Sequence, residues 1–421
     1  MNAILPKDML EATRLTREGR LAEASALLQR LVQGNAATGP AATTPHGIVG
    51  TPTAWLPRII DVHPETGEVS DAKPAPTAGP WSAAGMGKAA LPQMPEALRG
   101  FLDQVSQDAL GQGLDGLVRH APAATPEPMP EGARFGAGSF AAEAGSRAYK
   151  LYIPSTHRGR PVPLVVMLHG CTQSPDDFAA GTRMNALAEE HDLLVLYPAQ
   201  PSSANAQKCW NWFSPGDQRR DQGEPSLIAG MTRQVMREHA VDPQRVYVAG
   251  LSAGGAAAAI LGQAYPELYA AAGVHSGLAC GAARDLPSAF AAMRKGAAAA
   301  PLQSAEAQRV IPTIVFHADR DTTVHPRNGD QVIAQSGAAA ASELRTEIQR
   351  GQVVGGHAYS RTVYANAAGL TVLEQWLIHG GGHAWSGGSP AGSYTDPRGP
   401  DASREMLRFF LEHSQGAAAS Y

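Results

Sequence analysis

Arg245-Val246-Tyr247-Val248-Ala249-Gly250-Leu251-Ser252-Ala253-Gly254-Gly255-Ala256 decides the reading of this chain. It passes from a short apolar strand through a tight turn bearing one serine into a helix of small residues. Gly250-Leu251-Ser252-Ala253-Gly254 fits G-x-S-x-G, the pattern of a nucleophile elbow. A serine on so sharp a turn needs neighbours without side-chain bulk, because strand and helix approach closely there. The helix N-terminus behind it favours negative charge, which suits an alkoxide or a tetrahedral oxyanion. With 45 glycines in the chain the bare pattern could arise by chance. The strand before it and the helix after it are what mark an elbow.

Outward from that turn, short apolar strands alternate with helices. Arg134–Ala141 and Arg147–Pro154 read as two entry strands. Val162–Leu168 (VPLVVML) is a continuous apolar run, as expected for a strand covered on both faces. Asp176–Glu190 reads as a helix, Leu193–Tyr197 as a buried strand and Leu227–His239 as the next helix. Beyond the elbow, Ala271–His275, Thr313–His317 and Val372–Ile378 continue the strands, and Ser403–Glu412 closes with an amphipathic helix. The alternation predicts an α/β domain over 131–421 with a mostly parallel, doubly wound sheet.

The first third has a different texture. Residues 8–33 place Leu10, Leu15, Leu21, Leu27, Leu28 and Leu31 at helical spacing, broken at Gly19, so 1–34 reads as a helical hairpin. No second copy follows, which excludes a solenoid. The hairpin is read as a cap or as an arm for self-association. From 35 to 130 Ala, Pro, Gly and Thr dominate, and so little apolar surface predicts a largely disordered linker, with one short amphipathic helix at Phe101–His120.

A formal charge of −4 with 17% charged residues gives no special attraction for nucleic acid or anionic membrane. No apolar run is long enough to span a bilayer. The N-terminus lacks the unbroken apolar segment and cleavage site of a signal peptide, which points to the cytoplasm. Three cysteines, Cys171, Cys209 and Cys280, are too few for a disulfide scaffold. No histidines stand in a metal-ligand spacing such as H-E-x-x-H, so neither metal nor other cofactor is expected.

A serine nucleophile needs a base and a group to orient that base. In doubly wound hydrolases the order along the chain is serine, acid, histidine. Downstream of Ser252, Asp319 and Asp321 lie just past a strand end, where α/β sheets place their sites. Asp321 is the preferred acid, because His317-Ala318-Asp319-Arg320-Asp321 fits H-G-x-x-D with alanine for glycine. Asp319 reads as a turn cap. The base is His383, in a glycine-flanked loop after the last strand; His379, at the strand end, is the rival and reads as structural. The oxyanion hole needs two backbone N–H groups, assigned to Ala253, after the nucleophile, and Cys171, in the loop after an early strand. His169 precedes the serine and reads as a brace for that loop.

These segments together resemble a known family. LHGCTQSPDDFAAGTRMNALAEEHDLLVLYPAQ, CWNWF, GLSAGGAAAAIL and GGGHAWSGG are similar to the polyhydroxybutyrate (PHB) depolymerase esterases, neighbours of the feruloyl and acetylxylan esterases. The resemblance covers roughly 135–415 and not the first 130 residues. It implies an α/β-hydrolase fold, a triad of Ser252, Asp321 and His383, and an oxyanion loop at the H-G-C-x-Q motif, His169 to Gln173. It also implies that, in a secreted relative, Cys209 of the C-W-N-W-F mark would bond to Cys171. A reducing cytosol would not keep that bridge, so the pairing stays open here. Trp210 and Trp385, near the active-site loops, are read as lining an ester-binding groove, with Gln173 grouped beside them.

The function expected is a serine carboxylic-ester hydrolase of the PHB depolymerase type, cleaving short-chain hydroxyalkanoate esters through an acyl-enzyme. Secreted depolymerases usually add a linker and polymer-binding domain after the catalytic one. The chain ends at Tyr421 without them, which shifts the expectation to oligomers or amorphous polymer, and extracellular location is the alternative to cytoplasmic. A feruloyl or acetylxylan esterase is the second reading. A non-catalytic binding protein on the hydrolase scaffold is the third, disfavoured by the complete triad.

Overall fold

The computed structural model describes residues 129–297, 311–338 and 343–415, together with the backbone of two short strands. Those are β1 (Ile60–Val62) and β2 (Val69–Asp71), which pair antiparallel within the stretch read as linker. The helical hairpin expected over 1–34 and the helix expected at Phe101–His120 lie outside the described residues.

Residues 134–411 form one ten-stranded sheet wrapped by helices, with a small two-stranded pair beside it. Its elements run β3 (Arg134–Ala142), β4 (Gly145–Ile153), β5 (Val162–Leu168), α1 (Pro175–Thr182), α2 (Met184–His191) and β6 (Leu194–Pro198). Then come α3 (Gly223–Glu238), β7 (Val241–Leu251), α4 (Ala253–Ala264), β8 (Ala271–His275), α5 (Leu286–Lys295), β9 (Thr313–Ala318) and α6 (Arg327–Gly337). The antiparallel β10 (Arg345–Gln352) and β11 (Ala358–Ala365) lead to β12 (Thr371–His379). Two-residue strands β13 (Trp385–Ser386) and β14 (Thr395–Asp396) pair with each other, and α7 (Ala402–Leu411) closes the domain. The strand order is β10-β11-β12-β9-β8-β7-β5-β6-β4-β3. The six strands from β12 to β6 are parallel, and an antiparallel pair flanks them on each side.

The apolar run of β5 explains how the sheet is buried. Successive side chains point to opposite faces. Leu164, Val166 and Leu168 join the core formed with Ile228, Met231 and Val235 of α3 and Ile260 and Leu261 of α4. Val165 and Met167 join the other core, with Phe178, Met184 and Leu187 from α1 and α2 and Met406, Phe409 and Phe410 from α7. β7 splits the same way, Val246 and Val248 to the first core, Tyr247 and Ala249 to the second. At roughly 1.5–3 kcal/mol per fully buried large apolar side chain, these two layers fix which way each strand faces.

Three expectations are corrected. Asp176–Glu190 is two helices, because Arg183 turns left-handed at φ 55° and ends α1. Near that end, a Cβ on Gly181 would come within 3.0 Å of Thr395 and 3.4 Å of Gly392, so the loop carrying them packs directly on α1. β10 and β11 were not expected as strands. β10 reads Arg-Thr-Glu-Ile-Gln-Arg-Gly-Gln and is exposed almost throughout, so it has no apolar alternation to detect. α5 and α6 were also missed, although Asp285 and Ser288 form a capping box at the start of α5.

Candidate active site

The parallel strands end level at one edge of the sheet. Leu168 lies opposite Gly250, Leu251 opposite His275, His275 opposite Phe316, and Leu377 opposite His317. Ser252, Asp321, His383 and Cys171 all follow one of those ends, the edge where open α/β sheets bind ligands.

Ser252 has φ 58° and ψ −118°, a left-handed backbone that a side-chain-bearing residue adopts only under strain. The flanking glycines make that turn sterically feasible. A Cβ on Gly250 would stand 2.3 Å from the backbone of Gly254, and one on Gly254 would stand 2.1 Å from the Leu168 carbonyl. The Ser252 N–H donates to His275 O at 2.8 Å, and Ser252 O accepts from Ala256 N at 2.9 Å. The strain is thus held by both the sheet and the helix.

His383 and Asp321 meet. His383 Nδ1 lies 2.7 Å from Asp321 Oδ2, with the carboxylate side chain fully buried and the imidazole 12% exposed. Asp321 Oδ1 accepts the N–H groups of Thr323 at 2.9 Å and Val324 at 2.8 Å. Burial alone would raise the Asp321 pKa. The charge of His383 and hydrogen bonds from His317 and His383 outweigh it and hold the carboxyl well below the usual range. An ionised carboxylate can only accept, so whenever the imidazole is neutral its proton is held on Nδ1 and Nε2 carries the lone pair. No hydrogen bond joins Ser252 Oγ to His383 among the described residues, so His383 is paired with Asp321 but not with the serine.

His317 sits beneath the acid. Its Nε2 donates to Val324 O at 2.7 Å and lies 3.4 Å from Asp321 Oδ2. The rival histidine is engaged elsewhere: His379 Nδ1 lies 2.9 Å from Asp319 Oδ2 and Nε2 lies 2.9 Å from Ser360 Oγ. Asp319 also accepts Gly380 N at 2.8 Å, so it clips the start of the His383 loop to the acid turn.

At the oxyanion loop, Cys171 is bonded to Cys209 with Cα atoms 4.2 Å apart, so the pairing left open in the sequence is formed. The Cys171 and Ala253 N–H groups find no acceptor among the described residues, Ala253 being the first residue of α4. His169 braces the loop. Its Nδ1 donates to Gly170 O at 2.8 Å and its Nε2 accepts Gln200 N at 3.1 Å. Burial lowers its pKa to about 4. A Cβ on Gly170 would come within 3.5 Å of Leu251 O, which places this loop against the residue preceding Ser252.

The three expected substrate contacts are not at the surface. Trp210 is buried and donates its Nε1–H to His169 O at 3.1 Å. Trp385 is buried, donates to Ser403 Oγ at 3.0 Å and stacks on His275. Gln173 is buried, accepting Gly170 N and donating to Asp177 and to Ser393. All three hold the loops in place rather than line a groove. Glu224, unremarked in the sequence, anchors the Cys209 segment by accepting Asn211 N at 2.7 Å and Asn211 Nδ2 at 2.8 Å. His275 was missed as well. Its ring lies between Phe316 and Trp385, and its Nε2 accepts Ser386 N at 3.0 Å, tying the elbow's partner strand to the His383 loop. Among the described residues no group of three His, Cys, Asp or Glu side chains could hold a metal ion, and no helix is long and apolar enough to cross a membrane.

A level parallel sheet with flanking antiparallel strands, a strained serine between strand and helix, and a buried Asp–His pair on later loops define an α/β-hydrolase. Comparison with a solved acetyl xylan esterase from Aspergillus awamori agrees in fold, with a TM-score of 0.51 at 19% identity over 66% of this chain and 99% of that one.

Within that class, residues 147–349 match the family described as esterase PHB depolymerase, and the chain resembles that family as its motifs indicate. The match contains Ser252 and Asp321 and stops short of His383. Poly(3-hydroxyalkanoate) depolymerase C of Paucimonas lemoignei is 34% identical over 256 residues, 58% of this chain and 60% of that protein. Feruloyl esterase B of Thermothelomyces thermophilus is 27% identical over 248 residues, 55% of this chain and 82% of that protein. The chain therefore spans less than two thirds of the length of the depolymerase.

Proposed function

We propose that this protein is a serine carboxylic-ester hydrolase that cleaves short-chain hydroxyalkanoate esters or oligomers through an acyl-enzyme. The observation that carries the reading is the buried Asp321–His383 pair on the loops after β9 and β12, with a strained Ser252 at the end of β7, three loops that follow strand ends on one edge of the sheet. Ser252 Oγ attacks the ester carbonyl while His383 Nε2 takes its proton, and Asp321 stabilises the imidazolium that forms. The Cys171 and Ala253 N–H groups receive the oxyanion. His383 then protonates the departing alcohol, and water, deprotonated by the same imidazole, releases the acid. The likeness to a poly(3-hydroxyalkanoate) depolymerase supports the hydroxyalkanoate end of this proposal.

A feruloyl or acetylxylan esterase is the second reading, favoured by the similarity to feruloyl esterase B, of which the chain spans 82%. A panel of 3-hydroxybutyrate oligomers, feruloyl esters and acetylated xylan separates the two. Fastest Ser252-dependent turnover on the oligomers supports the first, and fastest turnover on feruloyl or acetyl esters replaces it with the second.

The Cys171–Cys209 bond would persist in an oxidising compartment and be lost in a reducing one. It supports the extracellular reading over the cytoplasmic one. Self-association through residues 8–33 rests on their amphipathic pattern alone.

A further inference from the structure

With Trp210, Trp385 and Gln173 buried, the exposed aromatic side chain that links the Cys171 loop to the loop after His383 is Tyr394, 43% exposed. Its backbone is gripped on both sides. Tyr394 O accepts Trp385 N at 2.7 Å, two residues past His383, and the preceding Ser393 is held by Asp177 through its N–H at 2.8 Å and its hydroxyl at 2.5 Å. Gln173 adds a bond to Ser393 O at 3.1 Å. Tyr394 has φ 53°, and Thr172, whose hydroxyl it meets, has φ 67°. Two neighbouring, exposed residues are thus both held in strained backbone, an arrangement associated with ligand contact.

The hydroxyl chemistry sets what this pair can bind. Thr172 Oγ1 donates its only proton to Cys171 O at 2.6 Å. The contact between Thr172 Oγ1 and the Tyr394 hydroxyl, 3.3 Å, must therefore be a donation by the phenol. At that length it is a weak bond, readily exchanged for a better acceptor. Thr172 follows Cys171, so the phenol is bonded to the residue next to the one whose N–H is assigned to the oxyanion.

We propose that Tyr394 is a substrate-binding, specificity-determining residue whose phenol donates to a second oxygen of the substrate, near the scissile carbonyl. The class selected is a hydroxyacyl ester or an oligoester, whose 3-hydroxyl or next ester carbonyl supplies that acceptor, over a plain alkanoate ester. The inference rests on the ester-hydrolase reading above and names the substrate class of that site.

The test compares kcat/KM on p-nitrophenyl 3-hydroxybutyrate and p-nitrophenyl butyrate, which share a leaving group and differ by one hydroxyl. Wild-type protein, Tyr394→Phe and Tyr394→Ala are measured, with Val354→Ala, at the exposed turn between β10 and β11, as a remote control. Tyr394→Phe removes the phenol and keeps the ring. It is expected to lower the hydroxybutyrate-to-butyrate ratio about fivefold, the scale of one neutral hydrogen bond, with the change mainly in KM. Tyr394→Ala is expected to lower it at least as far, and Val354→Ala to leave it unchanged. An unchanged ratio in both tyrosine variants, with Ser252-dependent turnover on both esters, overturns this inference alone. Absence of Ser252-dependent turnover on either ester overturns the hydrolase reading and this inference with it.

Discussion

His383 Nδ1 and Asp321 Oδ2 stand 2.7 Å apart, and the carboxylate is buried with its other oxygen filled by two backbone N–H groups. The pair fixes a tautomer as well as a position. Because the carboxylate stays ionised, the imidazole proton is held on Nδ1 and the lone pair on Nε2 remains for Ser252.

Asp321→Asn tests that fixed tautomer. The amide can donate where the carboxylate accepts, which favours the imidazole with its proton on the wrong nitrogen. The variant is expected to fold and to lose on the order of 10³- to 10⁴-fold in kcat. Circular dichroism with p-nitrophenyl butyrate kinetics checks both, and near-normal kcat would remove Asp321 from the mechanism.

Acid should weaken the fold before it reaches the carboxylates. Burial lowers His169 to about 4, and burial, with the charges of His317 and His383, lowers His275 to about 3. Below the ordinary histidine value of about 6.5 the unfolded chain takes up these protons and the folded chain does not. Stability contributed by the neutral rings is therefore complete above about pH 6.5 and falls as pH drops to about 4 for His169 and about 3 for His275. For His169 this is on the order of 3 kcal/mol. Tm measured from about pH 7 to about pH 4 should fall, and fall less in His169→Asn; equal slopes would contradict the assignment.

Gly254→Ala should be far more damaging than an ordinary glycine-to-alanine change within a helix. Propensity alone would favour alanine by about 1 kcal/mol. Here the added Cβ would stand 2.1 Å from Leu168 O, a backbone atom of the strand leading into the oxyanion loop. Loss of soluble protein, or of most turnover in what remains soluble, is expected on expression; wild-type yield and rate would show that the elbow is looser than its sterics imply.

Reduction should loosen the oxyanion loop. The Cys171–Cys209 bond closes a separation of 38 residues, for which chain entropy gives about 4 kcal/mol. Dithiothreitol is expected to lower Tm and slow ester turnover in wild-type protein, and to do neither in Cys171→Ser/Cys209→Ser. Equal sensitivity of both proteins would place the effect elsewhere.

The parts of this molecule legible in its sequence are those governed by local rules. Val162–Leu168 and Ala271–His275 are legible to the residue because both faces of each strand are buried, leaving runs of apolar and small residues that in the second case end at His275. The turn at Ser252 is legible because only glycine-like neighbours fit it, and the meeting of Asp321 with His383 because both follow strand ends on one edge of the sheet. Exposed β10 carries no such pattern. Trp210 and Trp385 were misplaced for a related reason. An indole beside a catalytic loop suits either a groove or a core, and burial, which decides between them, depends on elements far away in the chain: His169 for one, Ser403 and His275 for the other. Tyr394 was passed over because its position depends on Asp177, Gln173 and Trp385, none of which is near it in an obvious motif.

The central claim is that Ser252 is the nucleophile. The most direct measurement is hydrolysis of p-nitrophenyl butyrate by wild-type protein and by Ser252→Ala at equal concentration, with Tm recorded to show that both are folded. The account predicts measurable turnover by the wild type and a loss of about 10³-fold or more in a variant of unchanged Tm. A folded Ser252→Ala that turns over at the wild-type rate would contradict it.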